Sequence, residues 1–112
     1  MYAAELARRY PQILAVSVHP GAVDTDLIGN LSWIRKKFVH VSTWATGTPM
    51  LTVEQGCFNQ TWAATAKRSE IVNGALYVPV GVLSNETLDK DAKNPAIAKK
   101  LWEWTDQVLA EF

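Results

Sequence analysis

The 112-residue sequence has one cysteine, two histidines and no surplus of charge of either sign. The lone Cys57 excludes an internal disulfide, and with His19 and His40 it forms no metal-ligand cluster. Lys and Arg number 11, and so do Asp and Glu. Without a basic excess there is no general platform for nucleic acid, and none for a polybasic membrane-surface protein. No apolar run approaches the roughly 18 residues of a membrane span. Residues 1–10 carry Glu5, Arg8 and Arg9 where a signal peptide needs apolar sequence. The expected location is therefore cytoplasmic, and the sequons at Asn30, Asn59 and Asn85 are read as chance matches. There are no internal repeats or low-complexity segments. What is present is 48% hydrophobic and 20% charged, a globular composition.

The opening residues, Tyr2-Ala3-Ala4-Glu5-Leu6-Ala7-Arg8-Arg9, are strong helix formers. No N-cap residue precedes them, so they read as the back end of a longer helix, stopped by Pro11. Residues 13–18 form an almost unbroken apolar run before His19-Pro20-Gly21. Such a strand is apolar on both faces, as in a parallel sheet covered by helices. Residues 27–50 hold glycines, the basic triplet Arg35-Lys36-Lys37 and large apolar residues including Trp33, Phe38 and Trp44. A short helix is expected over 31–39, in an excursion from the core.

Thr52-Val53-Glu54-Gln55 matches a capping box. Its helix is expected to reach about Lys67, burying Phe58, Trp62 and Ala66, with Cys57 a buried helix residue. Residues 74–81 read as a second buried strand, limited by Pro79, and 83–93 as polar loop. Asn94-Pro95 opens a last helix, whose apolar stripe is Ile97, Leu101, Trp104, Val108 and Phe112. Strand, crossover helix and strand make a parallel α/β unit. Two strands are too few to stand alone, so the unit is incomplete as a domain.

The most informative stretch is His19-Pro20-Gly21-Ala22-Val23-Asp24-Thr25, immediately after the first strand. Open α/β sheets bind ligands beyond the carboxyl ends of their strands. Pro20 fixes the turn. Gly21 lets main chain approach a flat ligand. Val23 and Thr25 offer backbone groups and one hydroxyl. Other readings are weaker. No Gly-x-Ser-x-Gly elbow accompanies Ser17, His19 and Asp24, Asp24-x-Asp26 lacks further ligands for a metal, and Arg35-Lys36-Lys37 reads as a solvated face.

In this order, the helix end, the strand, Pro20-Gly21-x-Val23-x-Thr25-x-Leu27, Glu54-Gln55-Gly56, the strand at 74–81 and Leu101-Trp102-Glu103-Trp104 resemble the carboxyl-terminal half of a short-chain dehydrogenase/reductase. The resemblance covers essentially all 112 residues. It implies the rear of a Rossmann-type doubly wound parallel sheet, with two strands plus helices. It further implies NADP or NAD as cofactor, NADP taken slightly ahead, and a small-molecule carbonyl or alcohol substrate. By the same resemblance Pro20, Gly21, Val23 and Thr25 form the cofactor-binding set, with Val23 meeting the nicotinamide carboxamide through its backbone and Thr25 meeting the carboxamide or pyrophosphate. Residues 27–50 would be a substrate lid. The family's glycine-rich phosphate turn and its Tyr-x-x-x-Lys do not occur in these residues. No catalytic residue is assigned, and the chain is expected to begin just after that motif, as a fragment or remnant, and to lack turnover alone. The alternative is a non-catalytic module that pairs with a full-length relative or a second copy. No membrane partner is expected.

Overall fold

The computed structural model describes residues 1–25, 32–45, 47 and 50–112. Helix α1 (Tyr2–Arg9) leads into β1 (Ser17–Val18), and α2 (Trp33–Ala45) follows. Then come α3 (Val53–Gly56), α4 (Phe58–Thr65), β2 (Leu76–Val78), β3 (Val82–Leu83) and α5 (Pro95–Leu109), with 3-10 turns at Arg68–Glu70 and Asn85–Thr87. The sheet order is β1-β2-β3. β1 and β2 are parallel, with Ser17 opposite Leu76 and Val18 opposite Tyr77. The expected parallel pair is therefore present.

Three differences from the sequence reading emerge, the first two with clear causes. First, only two residues of the 13–18 run pair as strand, because Asn73 substitutes for a neighbouring strand further back. Its Oδ1 accepts from Ala15 N–H at 2.8 Å, and its Nδ2 donates to the Ile13 carbonyl at 2.9 Å. Second, the sheet is mixed. Pro79 ends β2, and the chain reverses so that Val82 and Leu83 pair antiparallel with Val78 and Tyr77, at the start of a segment read as loop. Third, the helix expected over 31–39 runs instead from Trp33 to Ala45. Residues 26–31, 46, 48 and 49 lie outside the described residues, and with them Leu27, Asp26 and part of the proposed lid.

Alternation along the strands gives the sheet two different faces. Val16, Val18, Ala75 and Tyr77 join Ile71, Trp62 and Ala66 in a small core under α4. The Tyr77 ring stands 4.8 Å from that of Trp62, and its hydroxyl accepts from Val72 N–H at 2.8 Å. Ser17 and Leu76 point the other way, toward Ala4 and Met1 of the α1 end. The capping box at Thr52 forms as expected. The helix it opens is interrupted at Cys57, which is exposed, not buried; its thiol faces back along the turn to the Glu54 carbonyl at 2.9 Å. Phe58 is also exposed, and Asn59 takes the deepest position on α4. The radius of gyration is 17.0 Å, against about 13 Å for a self-contained domain of this length. A small core and an extended outline agree with an incomplete α/β unit.

Helices α1 and α5 dock through aromatic rings. Trp102 is stacked 4.9 Å from Tyr2, and the Arg9 guanidinium lies 5.0 Å above it. Inside this contact Glu5 is almost fully buried. Its carboxylate accepts from Arg8 at 2.6 and 2.9 Å and from Arg9 at 2.6 Å. Hydrogen bonding from Arg8, reinforced by Arg9, outweighs burial and lowers the Glu5 pKa from 4.5 to about 2. A folded-state pKa below the unfolded one adds stability that is complete above the unfolded value and is lost as pH falls through the folded one. Stability should therefore decline between about pH 4.5 and pH 2. Denaturant midpoints measured across that window should fall more steeply for the native chain than for Glu5→Gln.

Candidate functional site

At the carboxyl ends of β1 and β2 the main chain makes a tight, well-anchored turn. His19 N–H donates to the Tyr77 carbonyl at 2.9 Å, extending the ladder one residue beyond β1. Gly21 then takes φ +90°, a conformation that side chains disfavour, and its N–H donates to His19 Nδ1 at 2.9 Å. A Cβ at Gly21 would stand 2.6 Å from Leu51 Cδ1 and 3.1 Å from Pro79 Cγ. The turn thus needs glycine both for its backbone and for its neighbours.

Beyond the turn, Val23 forms an isolated parallel bridge with Leu51. Leu51 N–H donates to the Ala22 carbonyl at 2.8 Å, and Asp24 N–H donates to the Leu51 carbonyl at 2.9 Å. Both bonds go to the residues flanking Val23. In a parallel ladder the intervening residue directs its own N–H and C=O to the opposite side, and among the described residues those of Val23 have no partner. The Val23 side chain meanwhile packs against the buried Gly56, where a Cβ would stand 2.8 Å from Val23 Cγ2. The result is a fixed main-chain donor and acceptor aimed outward.

Asn59 holds this arrangement from below. It is fully buried. Its Nδ2 donates to the His19 carbonyl at 2.8 Å and to the Tyr77 carbonyl at 3.0 Å. Its Oδ1 accepts from Gly81 N–H at 3.0 Å. One side chain therefore ties β1, β2 and the β2–β3 turn together. Sequence reading missed this role, taking the Asn59 sequon only as a chance match. The available signal was an amide at 59 among Trp62, Ala63 and Ala66 on one helical face.

A cleft of about 530 Å³ opens beside the turn, lined by His19, Gly21, Leu51, Val78, Ser84 and Thr87 among others. Of the four residues expected to contact a cofactor, Gly21 lines this cleft. Pro20 and Thr25 are exposed and Val23 is half-buried, all outside the lining. Ser84, Thr87 and Leu51 join the wall without having been singled out. No cluster of metal-ligating side chains occurs among the described residues. At the start of α3, hydrogen bonding to its own backbone N–H and to Thr52 holds the Glu54 carboxyl below the usual range, in keeping with a helix N-terminus.

The chain is 33% identical over 108 residues to one short-chain dehydrogenase/reductase of Armillaria gallica, covering 95% of this chain and 32% of the relative. It is 32% identical over 114 residues to a second from the same fungus, covering 100% of this chain and 34% of the relative. A short-chain dehydrogenase/reductase of Aspergillus calidoustus is 29% identical over 97 residues, 87% of this chain and 30% of its own length. No family model and no solved structure matches the chain. Along nearly all of its length the chain is thus related to the short-chain dehydrogenases/reductases, and it spans about a third of the length of the relatives it matches.

Proposed function

We propose that these residues form the nicotinamide-side wall of an NAD(P)-dependent oxidoreductase acting on a small carbonyl or alcohol, within a Rossmann-type sheet. The observation that carries this reading is the outward-facing N–H and C=O of Val23, whose neighbour Ala22 and bridge partner Leu51 both line the cleft at the strand ends. A primary carboxamide needs one acceptor and one donor held at fixed spacing, and a parallel bridge on one side of Val23 fixes both. Gly21, Leu51 and Val78 give the cleft a close, mostly apolar wall suited to a flat ring. The residues present therefore fit the nicotinamide end of the cofactor, which supplies the hydride chemistry when bound. Val23 would hold the carboxamide, Thr25 would contact the carboxamide or pyrophosphate, and Pro20 and Gly21 would set the approach. Segment 27–50 would cover the substrate and exclude water. NADP is taken slightly ahead of NAD, and the cytoplasm is the assumed location.

These 112 residues contain neither the Tyr-x-x-x-Lys nor the glycine-rich phosphate turn of the family pattern, so in this reading the proton donor and the main phosphate cradle come from elsewhere. The purified chain should accordingly show no NADPH oxidation with a panel of ketones, and only weak cofactor binding. In amide-resolved NMR, millimolar NADPH should move Gly21, Val23, Asp24 and Leu51, while an adenosine phosphate lacking nicotinamide should leave them in place. Turnover would refute the assignment of roles. Shifts confined to other segments would refute the site.

A second reading, a non-catalytic pairing module, is favoured by the open edge of β1. Ser17 and His19 donate to β2, so the N–H groups of Val16 and Val18 face away from it and lack partners among the described residues. Such an edge invites another strand. Sedimentation of a sharply melting monomer would remove this reading.

A further inference from the structure

We propose that helix α2 binds the surface of membranes rich in anionic lipid. It carries five exposed large apolar residues. Trp33 is 74% exposed, Phe38 74% and Trp44 83%, and Ile34 and Val41 are more than half exposed. At 100° per residue these five positions fall within an arc of about 140° on one side of the helix. No other helix or strand packs broadly on α2 among the described residues. Scattered apolar residues need no explanation, but a contiguous aromatic face of this kind marks an interaction surface.

Two features select a bilayer as its occupant. The first is charge. The whole chain is neutral, but from residue 27 to residue 53 it contains Arg35, Lys36 and Lys37 and no Asp or Glu. The balance that argues against a polybasic protein hides a local excess of three cations. Basic sequence combined with a Trp- and Phe-bearing face is the pattern of helices that lie in the headgroup region. The second is the place of Lys37. It is exposed, and its helical position falls inside the apolar arc, between Trp44 and Val41. Packed against a protein core, its ammonium would be stripped of water without a partner. In a bilayer interface the four-carbon stem lies among the acyl chains while the charge reaches the phosphates. Tryptophans at both ends of the helix suit the same interface. Gly47, two residues past α2, lines the cleft at the strand ends, so a bound membrane would lie close to its mouth. The proposal gives the α2 face an occupant other than the substrate suggested for segment 27–50, and it leaves the cofactor roles of Gly21 and Val23 untouched.

The test is co-sedimentation and tryptophan emission of the purified chain with vesicles of phosphatidylcholine, alone or with 30% phosphatidylserine. Binding to the anionic vesicles is expected, with a blue shift in emission. Neutral vesicles should bind at least tenfold more weakly, since each of three cations contributes about a fivefold preference. Trp33→Ser with Trp44→Ser should abolish the blue shift. These side chains are exposed, so circular dichroism should remain unchanged. Trp104→Ser, an exposed tryptophan on another helix, should bind as the native chain does. Lys36→Glu with Lys37→Glu should remove the preference for anionic lipid. Failure to bind anionic vesicles, equal binding to both compositions, or retention of binding without Trp33 and Trp44 would overturn the proposal. Concentration-dependent dimerisation abolished by the same double substitution, with no vesicle binding, would assign the face to a second copy instead.

Discussion

Asn59→Leu should cost about 3 kcal/mol of stability or more, enough to unfold much of this small core at ambient temperature. Leucine has the same branching and the same number of side-chain heavy atoms as asparagine, so no cavity would be left. The loss would come from polar groups left behind. The His19 carbonyl and the Gly81 N–H would lose their bonds to this side chain, the Tyr77 carbonyl would keep only its bond from His19 N–H, and each polar group left without a partner costs roughly 1–3 kcal/mol. Asn59→Asp should be no gentler, because it replaces the donor facing two carbonyls with a buried negative charge. The exposed neighbour Gln60 provides the control, and Gln60→Leu should change stability by less than about 0.5 kcal/mol. Urea denaturation followed by circular dichroism measures all three. If Asn59→Leu melts within about 1 kcal/mol of the native chain, the amide is not the clamp that the geometry describes.

The clamp also shows what sequence reading could and could not reach. The Pro20-Gly21 turn, the Thr52 capping box, the Asn94-Pro95 helix start and the parallel pairing of the two strands were legible because each depends on residues close in sequence or on a simple apolar run. The strand at 74–81 was half legible. Pro79 marked its end, but the antiparallel return through Val82 and Leu83 depends on contacts with Tyr77 and Val78, which composition does not announce. The partners of Asn73 and Asn59 were out of reach for the same reason. Each bonds to backbone far away in sequence, Asn73 to residues 58 and 60 positions back and Asn59 to His19, 40 positions back. At the candidate site, Gly21 was legible as a conformational need, whereas the orientation of Val23 depends on Leu51, 28 positions further on and marked by no local pattern as its neighbour.

Trp102→Ala should be the most damaging substitution on α5, at about 3 kcal/mol or more, while Trp104→Ala should cost under about 1 kcal/mol. The two tryptophans are two residues apart, and helical spacing in the sequence pointed to the wrong one. The stripe of Ile97, Leu101, Trp104, Val108 and Phe112 satisfies amphipathic periodicity, yet Trp104 is 62% exposed and Phe112 entirely so. The face that docks is centred on Ala98 and Trp102. The small side chain at 98 and the flat ring at 102 let α1 approach closely, and Tyr2, Tyr10 and Arg9 then surround the indole. These are aromatic and cation–π contacts whose partners lie about ninety residues away in sequence, so no local periodicity could reveal them. Removing Trp102 would expose the Tyr2 ring and the rim of the buried Glu5, and it should detach α5 from α1. Hydrogen exchange would read this directly. In Trp102→Ala the amides of α1 and α5 should lose protection together while those around Tyr77 keep theirs, and Trp104→Ala should leave both sets unchanged. Equal losses in the two variants would mean that the apolar stripe, not the ring stack, is what holds the helix.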